Sequence, residues 1–380
     1  MKEILFMAET STQHHQTSQI LASLLLMIAA CALFFMIGKG NSDKEKQNLY
    51  RLNRSELEHL DVGGEPIYVI GHRSPDADTV SCAIAYAELM QKLGYTAEAR
   101  ITAPIDRETA YIMQDAGADT PPVLLDAAGQ NIILVDHSDY AQAAEGMKDA
   151  NIIAIIDHHG VGSVTTGKAI IYDARPIGAA ATIVWMRYMN YGVEMEKKTA
   201  HLLLGAILSD TANLTGTATT TADKEAAAAL AKIAGVTDVN AFYAGLHAEK
   251  LSYEGFSSEE ILFSDYKEYS AGGTTFGIGL MSAIDEKTAA ELAGRMKEVF
   301  PSAAKTKNVD LIYAAITIRE NGEKIDYIVP GDEHSKEVFE ETFPNYDEYD
   351  GTSFIFRTGL GRKTKFVPGL TEHLNLYPKE

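Results

Sequence analysis

The chain is poor in cysteine and poor in positive charge, and each shortage closes off a class of protein. Two cysteines, Cys31 and Cys82, occur in 380 residues. A disulfide framework is excluded, a thiolate zinc site is disfavoured, and the usage fits a reducing compartment. Lys and Arg number 33 against 53 Asp and Glu, a formal net charge of −20. Nucleic acid is therefore not an expected partner, because non-specific binding depends on cations that neutralise phosphates. An acidic protein that handles a polyanion must invert its local charge, and bound metal cations do that. The sequence also lacks internal repeats at solenoid periods and low-complexity tracts. What it has is an ordinary folded composition, 46% hydrophobic and 23% charged, at a length that suits two domains plus an extension.

Residues 20–37 run without a charge, and Ser23 is the one strongly polar residue among them. That length meets the lower limit for a membrane-spanning helix. A secretory signal would want a basic start, yet Lys2 is offset by Glu3 and Glu9. Lys39, Lys44, Lys46, Arg51 and Arg54 follow the run, which puts its C-terminal side in the cytoplasm. The expected organisation is a polar N-terminus over 1–19, a transmembrane helix over 20–38 that anchors the chain to the cell membrane, and a charged linker over 39–64. A first folded domain over 65–250 and a smaller second one over 255–380 follow, both on the cytoplasmic side.

The first domain alternates strand and helix. Strands are expected at 67–70, 132–135 and 152–156, and helices at 78–93, 179–191, 198–208 and 221–233. The pattern predicts an α/β fold with a mostly parallel sheet and helices on both faces. The second domain is predicted as a smaller α/β unit. Its expected strands lie at 275–280, 311–318, 325–329 and 353–357, with an amphipathic helix at 285–299.

Seven candidate metal ligands stand in four clusters, each directly after an apolar run. They are His72, Asp76 and Asp78; Asp136; His158 and His159; and Asp210. Open α/β sheets put ligands at the carboxyl ends of their strands. Imidazole and carboxylate together suit divalent transition metals such as manganese, zinc or cobalt. Alone, any one of these residues reads as a turn, a helix cap or a structural histidine. Asp76 and Asp78, on a loop with Pro75, are expected to point to different faces. His158 and His159, adjacent on extended backbone, are expected to diverge. Five or more such groups on one rim would hold two divalent ions and suit hydrolysis of a phosphoanhydride or phosphoester. In the second domain, Arg362, Lys363 and Lys365 form a short cationic run. It reads either as a solvated turn or as a phosphate clamp.

The clusters resemble the motifs of the DHH phosphoesterase superfamily, named for Asp157-His158-His159. His72-x-x-x-Asp76-x-Asp78 resembles its first motif, Asp136-His137 its second and Ser209-Asp210-Thr211 its fourth. The second domain resembles the DHHA2 type, and within the superfamily the similarity is to the family II inorganic pyrophosphatases. The resemblance covers about 66–375 and implies a pair of Mn²⁺ ions, or Co²⁺ in their place, with Mg²⁺ admitted alongside the substrate. It implies that His72, Asp76 and Asp136 bind one metal, and that Asp78, Asp136, His158 and Asp210 bind the other, with Asp136 bridging. His159 would contact the phosphate, and Lys267, Arg362 and Lys363 would hold pyrophosphate. Metal-activated hydroxide would attack as the two domains close. A homodimer is left open. His137 and Asp157 are set aside as support.

Three features depart from the family pattern. Ser138 stands where Asn is usual, Gly361-Arg362-Lys363-Thr364-Lys365 replaces Ser-Arg-Lys-Lys-Gln, and the apolar N-terminal segment is additional. About twenty residues separate the second and third clusters, so no regulatory insert is visible there. The competing readings are an exopolyphosphatase or other DHH phosphoesterase, and a non-enzymatic, membrane-tethered phosphate-binding scaffold.

Overall fold

The computed structural model describes residue 27 and residues 42–60, 62–320, 323–348, 353–357 and 359–379. The expected transmembrane helix, Met27 apart, lies outside the described residues. Among the described residues, no helix is long and apolar enough to cross a membrane. The chain divides into two units, Met1–Tyr243 and Ala244–Glu380.

In the first unit, five strands form one parallel sheet: β1 (Ile67–Ile70), β2 (Ala97–Arg100), β3 (Asn131–Val135), β4 (Asn151–Asp157) and β5 (Ile171–Ala174). Their order is β2-β1-β3-β4-β5. The chain leaves β1 towards β2 on one side and returns to β3 on the other. The strand order therefore reverses between β1 and β3, the place where such sheets open a crevice at their carboxyl ends. Every residue of β3 is buried, as continuous apolar strands covered on both faces require.

The two faces are covered differently. Alternate residues of a strand point to opposite sides. Ile70, Ile132, Leu134, Ile152 and Ile155 pack against the loop residues Ala127, Ala143 and Met147. The connection from β3 to β4 carries only a 3₁₀ turn, Met147–Asp149, and no α-helix. The expectation of helices on both faces is corrected here: fifteen or so residues suffice to cover the sheet with apolar loop side chains. The other side carries α2 (Ala77–Lys92), packed on β1 and β2, with α3 (Arg107–Ala116), α4 (Ala180–Tyr191), α5 (Lys197–Asp210) and α6 (Thr221–Ala234) assembled around it.

The stretch read from sequence as a linker is helical over 42–54 (α1) and continues as a 3₁₀ turn, Ser55–Leu57. It is docked on the C-terminal end of α4. Asn53 donates to the Asn190 carbonyl, Arg54 to that of Tyr191, and Glu56 pairs with the buried Arg187 at 2.5 Å.

The second unit holds a six-stranded sheet. Its strands are β6 (Tyr266–Ala271), β7 (Thr274–Ser282), β8 (Leu311–Glu320), β9 (Glu323–Pro330), β10 (Asp347–Glu348) and β11 (Phe354–Phe356). They run in the order β10-β11-β9-β8-β7-β6, antiparallel except for β7 with β8. The Glu286–Lys307 helix covers one face, with Leu292, Met296 and Phe300 in its core. Phe339, Phe354 and Phe366 fill the other.

Candidate metal centre

The rim at the β1–β3 switch point gathers all seven candidates. Asp136 is its centre. It follows β3, its amide donates to the Ile156 carbonyl, and its φ is +61°. A non-glycine residue in this left-handed region is uncommon, and Asp tolerates it better than most. The turn swings a 1% exposed carboxylate across the sheet edge. Oδ2 accepts a hydrogen bond from Thr79 Oγ1 at 2.8 Å and lies 3.3 Å from His72 Nε2. Oδ1 faces the opposite way, 3.2 Å from His158 Nε2 and 3.6 Å from His159 Nδ1. The two oxygens of one side chain thus serve two different groups of ligands.

Those groups are His72, Asp76 and Asp136, then Asp78, His158 and Asp210, with a third made of Asp136, His158 and His159. Within each, the ligand atoms lie within 4.8 Å of one another. Asp136 Oδ1 and His158 Nε2 are buried and, among the described residues, neither has a partner of hydrogen-bond geometry, although they stand 3.2 Å apart. Buried polar atoms are nearly always satisfied. With Nδ1 facing the Ile177 carbonyl, a neutral His158 turns its Nε2 lone pair to the Asp136 carboxylate, an arrangement that fits a cation in the place of a shared proton, and the carboxylate and imidazole set suits manganese.

Local structure explains how the ligands are aimed, and it revises two expectations. Asp76 and Asp78 face different groups of ligands, as expected, but from a helix start and not from an extended loop. Asp76 is the N-cap of α2, accepting from the Thr79 amide at 3.0 Å, because a short carboxylate satisfies the orphan N–H groups of a helix start. Its other oxygen faces His72 at 3.4 Å. Asp78, two residues into the helix, is rotated away and fully buried. His158 and His159 do not diverge. β4 ends at Asp157, whose Oδ1 accepts from both the His159 amide and His159 Nδ1 at 3.0 Å. This Asx-type turn brings both rings, 4.3 Å apart, towards Asp136 Oδ1. His137 Nδ1 instead faces the Val135 carbonyl at 3.1 Å and the ring is buried beside His72.

Gly71 is needed for this packing, since a Cβ there would stand 2.3 Å from Thr79 Cγ2. Thr79 is a site residue that sequence reasoning did not find; a threonine in the first turn of a helix gives no signal of its own.

The carboxylates repel one another when no cation is counted among them. Burial, then the charge of Asp136, pushes Asp78 up to about 7. Burial, then Asp78 and Asp136, pushes Asp210 up to about 9. Burial also opposes ionisation of Asp136, but contacts with His158 and His72 outweigh it and hold it well below the usual carboxylate range. For His72, burial disfavours the charged form, yet Asp136 and Asp76 raise it to about 10.

The second unit's cations differ among themselves. Lys267 and Lys363 are exposed. Arg362 is buried, with Nη2 2.6 Å from Asp265 Oδ1 and Nη1 donating to the carbonyls of Asp265 and Ile278. It lies on a π-helical turn, Gly361–Phe366. The start of that turn is tied down by the buried Asp326, which accepts from the amides of Leu360 and Gly361.

A sheet whose switch point presents such a rim belongs to the DHH type. The model of the DHH family, N-terminal domain, matches residues 66–207, and that of the DHHA2 domain matches residues 245–373. The manganese-dependent inorganic pyrophosphatase of Methanothrix thermoacetophila is 34% identical, over 80% of this chain and 97% of its own. A probable manganese-dependent inorganic pyrophosphatase of Archaeoglobus fulgidus is 32% identical over similar shares, 80% and 97%. The crystal structure of a putative family II inorganic pyrophosphatase from Methanococcus jannaschii superposes with a TM-score of 0.53 at 30% identity, covering 81% of this chain and 99% of that one. The chain belongs to the family II, manganese-dependent inorganic pyrophosphatases.

Proposed function

We propose that this chain hydrolyses inorganic pyrophosphate to two phosphates with two manganese ions. His72, Asp76 and Asp136 would hold one, and Asp78, Asp136, His158 and Asp210 the other. The observation that carries the reading is the Asp136 carboxylate, with one oxygen turned to His72 and the other to His158. When bound, the ions would acidify a water and neutralise phosphoryl charge. Cobalt would fit the same donors, and magnesium could enter with the substrate.

His159 is half exposed at the rim, and its contact with Asp157 raises its pKa. A histidine so held is suited to donate a hydrogen bond to a phosphate oxygen. Lys267 and Lys363 would supply point charges to pyrophosphate as the two domains close over it. Arg362 would also contribute, after giving up part of its hold on Asp265. The apolar run 20–37 supports a tether holding both domains at the cytoplasmic face of a membrane.

The test is a substrate panel of pyrophosphate, tripolyphosphate and dinucleotides with Mn²⁺, run on protein from fractionated cells. Phosphate release from pyrophosphate and recovery with membranes are expected. Cleavage of tripolyphosphate without pyrophosphate would refute the assignment, and wholly soluble protein would refute the tether.

The clamp residues make a second prediction. Lys363→Ala should raise KM for pyrophosphate about tenfold, a loss of about 1.4 kcal/mol, with no change in melting temperature. Arg362→Ala should raise KM and also lower the melting temperature, because it removes a buried side chain and its hydrogen bonds to the Asp265 carboxylate and to the Asp265 and Ile278 carbonyls. Equal melting temperatures for the two variants would contradict the packing role of Arg362.

A further inference from the structure

The loop before α4 aims two of the rim's ligands. The Ile177 carbonyl lies 3.0 Å from His158 Nδ1, which leaves Nε2 to face Asp136. The amides of Ala180 and Ala181 donate to the two oxygens of Asp78 at 2.6 and 2.9 Å. The α4 N-terminus has no side-chain cap of its own, so Asp78 is the anion at its positive end.

What holds this loop is Asp223, a fully buried residue in the first turn of α6. Its Oδ2 accepts from the Gly178 amide at 2.9 Å, and its Oδ1 accepts from Thr182 Oγ1 at 2.7 Å. Contact is so close that a Cβ at Gly178 would stand 2.8 Å from Asp223 Oδ2 and 2.6 Å from Thr211 Cγ2. Thr211 directly follows Asp210, the third ligand of the same group. Asp223 also completes a capping box with Thr220. Capping explains the bonds to Thr220; it does not explain those to Gly178 and Thr182, which lie some forty residues earlier in the chain.

We propose that Asp223 is a positioning residue for the Asp78, His158 and Asp210 group, locking residues 177–182 so that these side chains converge on one cation. The inference rests on the manganese reading above. Metal ligands are commonly oriented by such outer partners, whose loss weakens metal affinity by about 10- to 100-fold.

The experiment is calorimetric Mn²⁺ titration of the full, metal-stripped chain, with melting temperatures measured alongside. Asp223→Asn replaces a charged carboxylate, which accepts on both oxygens, by a neutral amide with one acceptor oxygen, and should weaken one class of Mn²⁺ sites by about 10- to 100-fold while leaving the other within about threefold. Thr182→Val, which removes one of the two bonds from residues 177–182 and leaves that of Gly178, should weaken the same class by a smaller factor. Thr220→Val, which removes only the capping hydroxyl, should lower the melting temperature and leave Mn²⁺ affinity unchanged. The proposal is overturned if Asp223→Asn binds as the unsubstituted chain does, or if Thr220→Val weakens binding as much. If Asp223→Asn does not fold, Thr182→Val decides, and unchanged affinity there overturns it. An unsubstituted chain that takes up no Mn²⁺ would overturn the manganese reading and this inference together. One that binds Mn²⁺ without hydrolysing pyrophosphate would sink only the activity.

Discussion

Asp136→Asn should lower pyrophosphate turnover by about a thousandfold or more, equivalent to about 4 kcal/mol, while the fold is kept. The backbone reason for the retained fold is that Asn, like Asp, tolerates the +61° φ at this position. The amide oxygen can still accept from Thr79 Oγ1. The chemical reason for the loss is that an amide has one acceptor oxygen where the carboxylate has two. If that oxygen stays with Thr79 and His72, a donor NH₂ is turned towards His158 and His159; the flipped rotamer harms the other side. Either orientation removes a ligand from one group, so metal content should fall from two ions per chain to one in parallel with turnover. Circular dichroism checks the fold and elemental analysis the metal. Near-normal turnover, or two ions retained, would refute the bridging role.

The rim was legible in sequence because motif residues that follow apolar strands are bound to emerge at one sheet edge. His72 after β1, Asp136 after β3 and His158 after β4 needed only the parallel register to meet. The central strands were legible for the same reason, being short apolar runs bounded by turns. β2, with the sequence Ala-Glu-Ala-Arg, was not, because an edge strand exposes polar side chains and loses the apolar signal. Nor was the convergence of His158 and His159, which depends on one Asp157 hydrogen-bonding its own downstream backbone. Asp223 shows a different limit. The structure shows Thr220 and Asp223 as the capping box of a helix start; nothing local reveals that the same carboxylate reaches Gly178 and Thr182. Long-range hydrogen bonds of buried polar groups are set by tertiary packing. For the same reason, the sequence could present Arg362 as a free clamp residue while packing had already committed it to Asp265.

Stripping the metal should destabilise the first unit, and the deficit should grow as pH rises. At Mn²⁺ concentrations about 100-fold above Kd, binding stabilises by about 2.7 kcal/mol, or about 5–10 °C in melting temperature for a unit of this size. The pH dependence follows from the metal-free rim. Asp78 and Asp210 have folded-state pKa values raised to about 7 and about 9 by burial and mutual repulsion. A raised carboxyl binds more protons folded than unfolded, so stability falls as pH climbs from the ordinary carboxylate range through those values. His72 and His158 are raised to about 10 despite burial, by the carboxylates they face. Their contribution is fully present below the ordinary histidine pKa near 6.5 and is lost as pH rises towards 10. Both terms weaken the metal-free fold between pH 6.5 and 8.5. Over the same interval, protons that compete with the cation for these atoms are released, so Mn²⁺ binds more tightly. Scanning calorimetry with and without EDTA should therefore show a gap that is smallest at pH 6.5 and widens steadily to pH 8.5. A gap that is constant, or that narrows over this range, would mean that protons and the cation do not share these ligands, and the convergence of His72, Asp78, His158 and Asp210 on Asp136 would need another explanation.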